Sequence, residues 1–239
     1  MKTRAFARYN GTFVWLAGIV LGYALCLFFL DKGLALDGRI TDMFFDFTCH
    51  AKNARQCWLL DKTDRSLTFF LHDLPIRIYT AIGILALCVT LGGFRHAKLL
   101  RYRELCILTL IALACVPGIV ALLKIFSGHY CPGQLAAYGG PIGTSDSYQP
   151  KPRCFPAGSP AAGFSLIILY FGGLPRLWKR AGLYWGLGLG AVSSIIQIAR
   201  GEHLLSHCLA TLATALFIGM LISFLKEYRQ GRYYALIGN

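Results

Sequence analysis

Charge is what this chain most lacks. Asp, Glu, Lys and Arg make up 15% of its 239 residues, against about 25% in a typical soluble domain. That is too little to coat a globule of this size, so a soluble enzyme is not expected. Acids are scarcer still, 11 against 24 Lys and Arg. Proline is sparse at 9, and the 26 glycines follow no three-residue period, which excludes a collagen-like fibre. No polar low-complexity tract is present, which excludes extended disorder. What remains is apolar: 56% of residues are hydrophobic and mean hydropathy is +0.54. A formal charge of +13 raises the question of nucleic acid. In so apolar a chain, orientation in a membrane is the better explanation, and no nucleic-acid partner is expected.

A membrane crossing takes about 20 mostly apolar residues. Six windows qualify: Gly11–Leu30, Pro75–Gly93, Glu104–Leu123, Ala157–Leu174, Ala181–Ala199 and His207–Leu225. The expected fold is therefore all-α, a six-span transmembrane helical bundle forming one integral-membrane domain over residues 1–239. Within it, the chemistry-bearing core covers about 104–225 and an outward loop segment covers 31–74. The first window runs too long for a signal peptide and is expected to be retained. Six spans put both termini on one side, with 13 basic residues against Glu104 and Glu227. Positive charge stays inside, so cytoplasmic termini and outward loops 31–74 and 124–156 follow.

Cys49, Cys57, Cys131 and Cys154 all fall on the outward side, which suggests two disulfides. Of the three possible pairings, the within-loop one, Cys49–Cys57 and Cys131–Cys154, has the lowest closure cost.

Polar residues that would be costly in a bilayer gather at three outward helix ends: Lys124 to Pro132, Arg153 to Pro160, and Arg200 to His207. Three such ends in one small bundle can build one site. Lys124 and Arg200 bring positive charge, and the arginine fork matches phosphate oxygens. Pro156 suits the first turn of a helix, which would leave the N–H groups of Ala157, Gly158 and Ser159 free to meet an anion. Gly158 lets a ligand approach the backbone. His203 and His207, one turn apart, can act as nucleophile or proton carrier. Carboxylates are too few for a hard-metal cage, and the histidine pair shows no third zinc ligand. Neither a metal nor a cofactor is expected.

These residues resemble the type-2 phosphatidic acid phosphatase superfamily, integral-membrane lipid phosphate phosphatases whose signature reads Lys-x6-Arg-Pro, Pro-Ser-Gly-His and Ser-Arg-x5-His-x3-Asp. The resemblance implies a phosphohistidine on the third-motif His, held by the Asp. It also implies a middle-motif His that protonates the leaving alcohol, and Lys and Arg side chains that neutralise the phosphoryl group. Lys124 and Pro132 match the first motif, with Cys131 where Arg is expected. Pro156 and Gly158 match the second, with Ala157 for Ser and Ser159 in the acid His position. Arg200 matches the third-motif Arg, with Ala199 for Ser; His203 follows after two residues rather than five, and His207 stands in place of Asp. The implied site has His203, His207 and Ser159 as catalytic positions and Lys124, Arg200, Gly158 and Arg153 as phosphate binders. Arg153 enters as a substitute for the missing Arg, should a disulfide tie it beside Cys131. His207 could hold His203 only as a neutral acceptor, so activity would fall below about pH 6.5.

The implied substrate is a membrane phospholipid or lipid phosphate, of the lipid A, isoprenyl diphosphate or phosphatidylglycerol phosphate type. The implied setting is a bacterial inner membrane, with the site toward the periplasm. A serine hydroxyl at 159 is a poor acid, which implies either low or lost activity, natural or engineered, or another acid such as His129, five residues after Lys124. Two other readings stand beside this one. A non-enzymatic lipid-phosphate binder would use the same cations. Ala157-Gly158-Ser159 with His207 is also similar to the rhomboid intramembrane serine proteases, in which a Ser–His pair supplies the nucleophile.

Overall fold

The computed structural model describes residues 35–50, 53–143 and 151–237, together with positions 15, 18, 19, 22, 23 and 25. Those six positions are helical; the rest of the expected first span, Gly11–Leu30, lies outside the described residues. The described chain is helical throughout, in the order α1 (Ala35–Asp42), α2 (Arg65–Gly92), α3 (Ala97–Leu100), α4 (Arg103–Phe126), α5 (Ala161–Ser165), α6 (Ile168–Phe171), α7 (Arg176–Ala199) and α8 (Leu205–Ile237). No strand occurs among the described residues, only isolated bridges at Phe45–Trp58 and Leu135–Ile142.

Four helices are long and apolar enough to cross a membrane: α2, α4, α7 and the Leu205–Arg229 part of α8. The protein is thus a multi-pass membrane protein by the length and composition of its helices. These four carry the second, third, fifth and sixth expected windows. The second begins earlier than expected, because Asp64 caps the helix by accepting from the Ser66 and Leu67 N–H groups (2.7 and 3.2 Å), so Leu67–Leu71 is already helical. One wide turn at Phe69–Asp73 follows, next to Pro75, which has no N–H to give to the helix.

The expected fourth span, Ala157–Leu174, is not one long helix. Residues 155–160 run as turns, helix starts only at Ala161, and Ala161–Phe171 is too short for a full crossing. Its centre tightens into three-residue turns, Leu166 N–H to Gly163 C=O (3.2 Å) and Ile167 N–H to Phe164 C=O (3.0 Å). There the Ser165 hydroxyl turns back on the Ala162 carbonyl (2.7 Å). Irregular backbone of this kind is tolerated at membrane depth because protein surrounds it. Ala161, Phe164, Ile167 and Ile168 form the core with Ala112, Val116 and Val120 of α4 and Ala215 and Ile218 of α8.

Close approach on the remaining side rests on glycine. A Cβ added at Gly163 would come within 2.6 Å of the Gly190 backbone nitrogen, and one at Gly186 within 2.7 Å of Ile167. The Gly186-x-x-x-Gly190 stripe of α7 therefore packs internally against α5 and the turn before α6. At the end of the bundle away from the polar motifs, Lys226 of α8 pairs with Glu104 (2.9 Å) and donates to the Gly172 carbonyl (2.9 Å), tying α4, α6 and α8 together.

In the outward segment, α1 and a short turn at Ala54–Cys57 frame an aromatic cluster of Phe45, Phe47, Trp58 and Tyr138. The buried Tyr138 hydroxyl donates to Asp42 (2.8 Å); burial first, then this hydrogen bond and the carboxylate charge, push its phenol well above the ordinary value. Both cysteine pairs take the within-loop arrangement: Cys49–Cys57 and Cys131–Cys154, with S–S distances of 2.11 and 2.08 Å.

Candidate active site

The three outward helix ends do converge, with the turn between α7 and α8 as the anchor. α7 ends at Arg200, and Gly201 takes a left-handed φ of 68° that lets the chain reverse. Trp58 covers this turn so closely that a Cβ on Gly201 would overlap its indole. Gly133 donates to the Gly201 carbonyl (2.8 Å), fastening the first-motif segment to the same turn. The Gln197 carbonyl accepts from the N–H groups of Glu202 (2.9 Å) and His203 (3.3 Å). Asp37 of α1 accepts from the Ser206 N–H (3.0 Å) and from its hydroxyl, capping the start of α8.

His203 and His207 sit inside this frame with relative exposures of 5% and 0%, their ring centroids 5.8 Å apart. His203 Nδ1 lies 3.2 Å from Cys154 Sγ. Burial holds the His203 ring well below its ordinary value, the charge of Lys124 and then that of His207 press it lower, and the Cys154 main chain opposes them as an acceptor. The expected support from His207 does not form: both of its ring nitrogens lack a partner among the described residues. The His207 ring packs against Phe155 and His129 instead (5.4 and 6.5 Å between centroids).

The second motif reaches this frame by another route than expected. The Ala157 N–H is not free for an anion, because the His207 carbonyl accepts it (3.0 Å), and the Thr211 hydroxyl donates to the Ala157 carbonyl (2.7 Å). The chain there is held to the side of α8 rather than starting a helix at Pro156. Gly158 still lies against Lys124: a Cβ on it would come 3.1 Å from the ammonium nitrogen. Lys124, at the end of α4, thus meets Gly158 and sends its charge toward His203.

Arg200 is buried (5% exposed) and has no carboxylate partner among the described residues. One terminal nitrogen donates to Thr68 of α2 (2.9 Å), while Nε and the other terminal nitrogen have no partner there. The adjacent Glu202 pairs with Lys62 instead. Arg153 is exposed, immediately before Cys154 of the disulfide. Ser159 faces a cleft of about 640 Å³, shared with Lys124, Gly158 and His72 at one end and lined by Ile76, Leu110 and Leu113 further along. His72 Nδ1 lies 2.9 Å from the Asp73 carboxylate. One group of three potential metal ligands occurs among the described residues, Cys131, Cys154 and His203, with donor atoms within 4.8 Å of one another. With both sulfurs in a disulfide, neither is the thiolate that a metal would need.

Sequence reasoning missed five participants. Asp37, Trp58, Thr68 and His72 belong to the outward segment and carry no motif. Gln197 did have a signal: five residues separate it from His203, so it occupies the position of the third-motif Arg, and Arg200 stands three residues closer. His203-x3-His207 therefore keeps the expected frame without a shortened loop.

The described residues thus form an all-helical membrane bundle that gathers a buried imidazole, a lysine and an arginine without a carboxylate partner among them at one end of its long apolar helices. A family model described as PAP2 superfamily matches residues 104–230, just over half of the chain, and the protein belongs to that superfamily. Among curated proteins and among solved structures, nothing matches the chain. Membership points to phosphatase chemistry on lipid-like phosphates.

Proposed function

We propose that the protein removes phosphate from a membrane lipid without a metal or cofactor, by way of a phosphohistidine on His203. The observation that carries this reading is the cleft on which Lys124, Gly158, Ser159 and His72 open and which continues between apolar residues of α2 and α4; His203 and Arg200 do not line it, and Lys124 is the charge that reaches both the cleft and the His203 ring. A cationic head joined to an apolar trough fits a phosphate attached to hydrocarbon, and fits a free sugar phosphate poorly.

In this mechanism the His203 ring, kept neutral by burial, attacks phosphorus in line with the departing oxygen. Lys124 and the N–H groups of Arg200 that lack a partner among the described residues stabilise the equatorial oxygens, and the exposed Arg153 beside the disulfide is assigned as a further phosphate binder. The P–O ester bond breaks and the leaving oxygen needs a proton. Ser159 is a poor donor, and we assign that task to His72, which faces the same cleft and is oriented by Asp73. Water then attacks the phosphohistidine and releases inorganic phosphate.

The setting fits a bacterial inner membrane with the site on the periplasmic face, supported by the basic excess at the termini and by cysteine pairs on the opposite side. A Ser159–His207 protease pair is disfavoured, because the His207 ring nitrogens have no partner among the described residues.

The test is phosphate release from lipid A, isoprenyl diphosphate and phosphatidylglycerol phosphate in mixed micelles, with acid-labile phosphate trapped on His203. Binding of these lipids without release, even after Ser159→His, would instead make the protein a lipid-phosphate binder. Labelling of Ser159 by a fluorophosphonate would make it a serine hydrolase.

A further inference from the structure

We propose that the Cys131–Cys154 disulfide is the positioning group of the nucleophile, with Cys154 Sγ standing where the third motif would place a carboxylate against His203 Nδ1. This rests on the phosphatase reading for its purpose and on geometry alone for its existence. A nucleophilic imidazole must present one nitrogen bare, so the other must carry the proton and be held. Four observations assign that task to the disulfide.

The residue at the carboxylate position, His207, offers no hydrogen bond to His203, since neither of its ring nitrogens has a partner among the described residues. The nearest acid, Glu202, is engaged by Lys62. Cys154 Sγ lies 3.2 Å from Nδ1, and a disulfide sulfur has lone pairs but no proton, so it can only accept. The bridge itself is fixed at both ends: the Cys154 N–H donates to the His129 carbonyl (2.9 Å), and Gly133, two residues after Cys131, donates to Gly201 (2.8 Å). Cys154 also accepts from this ring through its main chain, so in this proposal the one residue holds the imidazole by oxygen and sulfur together, the proton sits on Nδ1 and the Nε2 lone pair is left for phosphorus.

A sulfur acceptor differs from a carboxylate in one respect: it is uncharged. The charged and titratable groups around His203 are Lys124 from α4, His207 from α8, Lys62 from the loop before α2 and the neighbouring Glu202, which is paired with that lysine. Among the described residues no free carboxylate stands there to draw a proton onto the ring, and with that set of groups His203 remains a neutral nucleophile in mildly acid conditions.

The experiment uses the full-length protein in detergent micelles, with histidines labelled by ¹⁵N and His203 assigned by comparison with His203→Gln. The oxidised protein should show His203 as the Nδ1–H tautomer. An external dithiol such as dithiothreitol supplies two electrons and two protons, converts the S–S bond to two thiols and leaves as its own cyclic disulfide. Each thiol can donate as well as accept, so the tautomer should become mixed. Cys131→Ser combined with Cys154→Ser gives the same comparison should the buried bond resist the reagent.

Turnover, read alongside, should fall by up to about 10⁴-fold in kcat with KM unchanged, the scale of loss when a catalytic histidine is left in the wrong tautomer. His207→Asp puts a carboxylate back at the motif position, and its turnover should survive reduction. An Nε2–H tautomer in the oxidised protein overturns the proposal. So does turnover indifferent to reduction, or a reduced His207→Asp variant as slow as the reduced parent, which would make the bridge merely a brace for the fold. Absence of phosphate release in every form, with the Nδ1–H tautomer present, counts against the phosphatase reading and leaves the positioning role standing.

Discussion

His203, His207 and Arg200 are enclosed by Trp58, Gly133, Asp37 and a disulfide, whereas Lys124, Gly158, Ser159 and His72 are half-exposed along a cleft whose outer wall is α2. The helices behind these two regions differ in the same sense. In its most apolar window α8 is 44% buried, and α2 only 6%. The groups that must hold one geometry through the reaction stand on the packed side, in keeping with the demand for preorganisation. In the proposed mechanism the groups that meet the substrate stand against α2, the least buried of the four long helices. The mechanism needs both kinds of region, and this chain separates them by element.

His203→Ala, on the enclosed side, should have the largest effect: a loss of turnover on the order of 10⁴–10⁶-fold with the fold intact, measured by phosphate release and circular dichroism. His72→Gln, on the open side, should cost about 10²–10⁴-fold in turnover as the positioned acid is lost, and Ser159→His added to it should recover much of that. A gain of that size from Ser159→His alone would remove His72 from the role. Gly201→Ala should cost about 1–3 kcal/mol in stability, since it places a side chain at positive φ and against Trp58; chemical denaturation in micelles reads this directly.

Acidification should separate stability from chemistry. The folded protein holds His203 well below its ordinary value, so below about pH 6.5 the unfolded chain binds a proton that the native state refuses. Stability therefore falls as pH drops through that value, more steeply in the parent than in His203→Gln, while the ring remains a competent nucleophile. Melting temperature against pH for the two proteins checks the sign. The smallest effect belongs to the trough: Leu113→Trp should raise KM several-fold for long-chain substrates and leave kcat for a short-chain analogue unchanged.

Much of this was legible before any coordinates. Of six hydrophobic runs expected to cross, four are long apolar helices among the described residues, because a helix facing lipid carries apolar side chains along its length. Spacing and order of the polar motifs brought Lys124, Gly158 and the two histidines to one end, and loop-closure cost picked out the cysteine pairs. The fourth window misled because hydropathy does not register backbone geometry. Ala157 and Pro160 are apolar, yet hydrogen bonds to His207 and Thr211 keep the segment from coiling. Asp37, Trp58 and Thr68 were invisible for a different reason. Their roles lie in contacts across 130 or more residues of sequence, the Thr68–Arg200 bond spanning 132, and no local pattern encodes these. The sulfur beside His203 was hidden in the same way, since the loop cysteines read as staples until a catalytic ring was found touching one.

The short central helix has one further consequence. At 1.5 Å per residue, Ala161–Phe171 covers about 17 Å of a hydrocarbon layer about 30 Å thick. Lys124, which the loop of Gly158 and Ser159 meets, stands in the last turn of the 24-residue α4, a helix long enough for the whole layer. The missing depth on the side of the short helix is therefore made up by non-helical backbone, and a phosphate can reach Lys124 without leaving the level of its own headgroup.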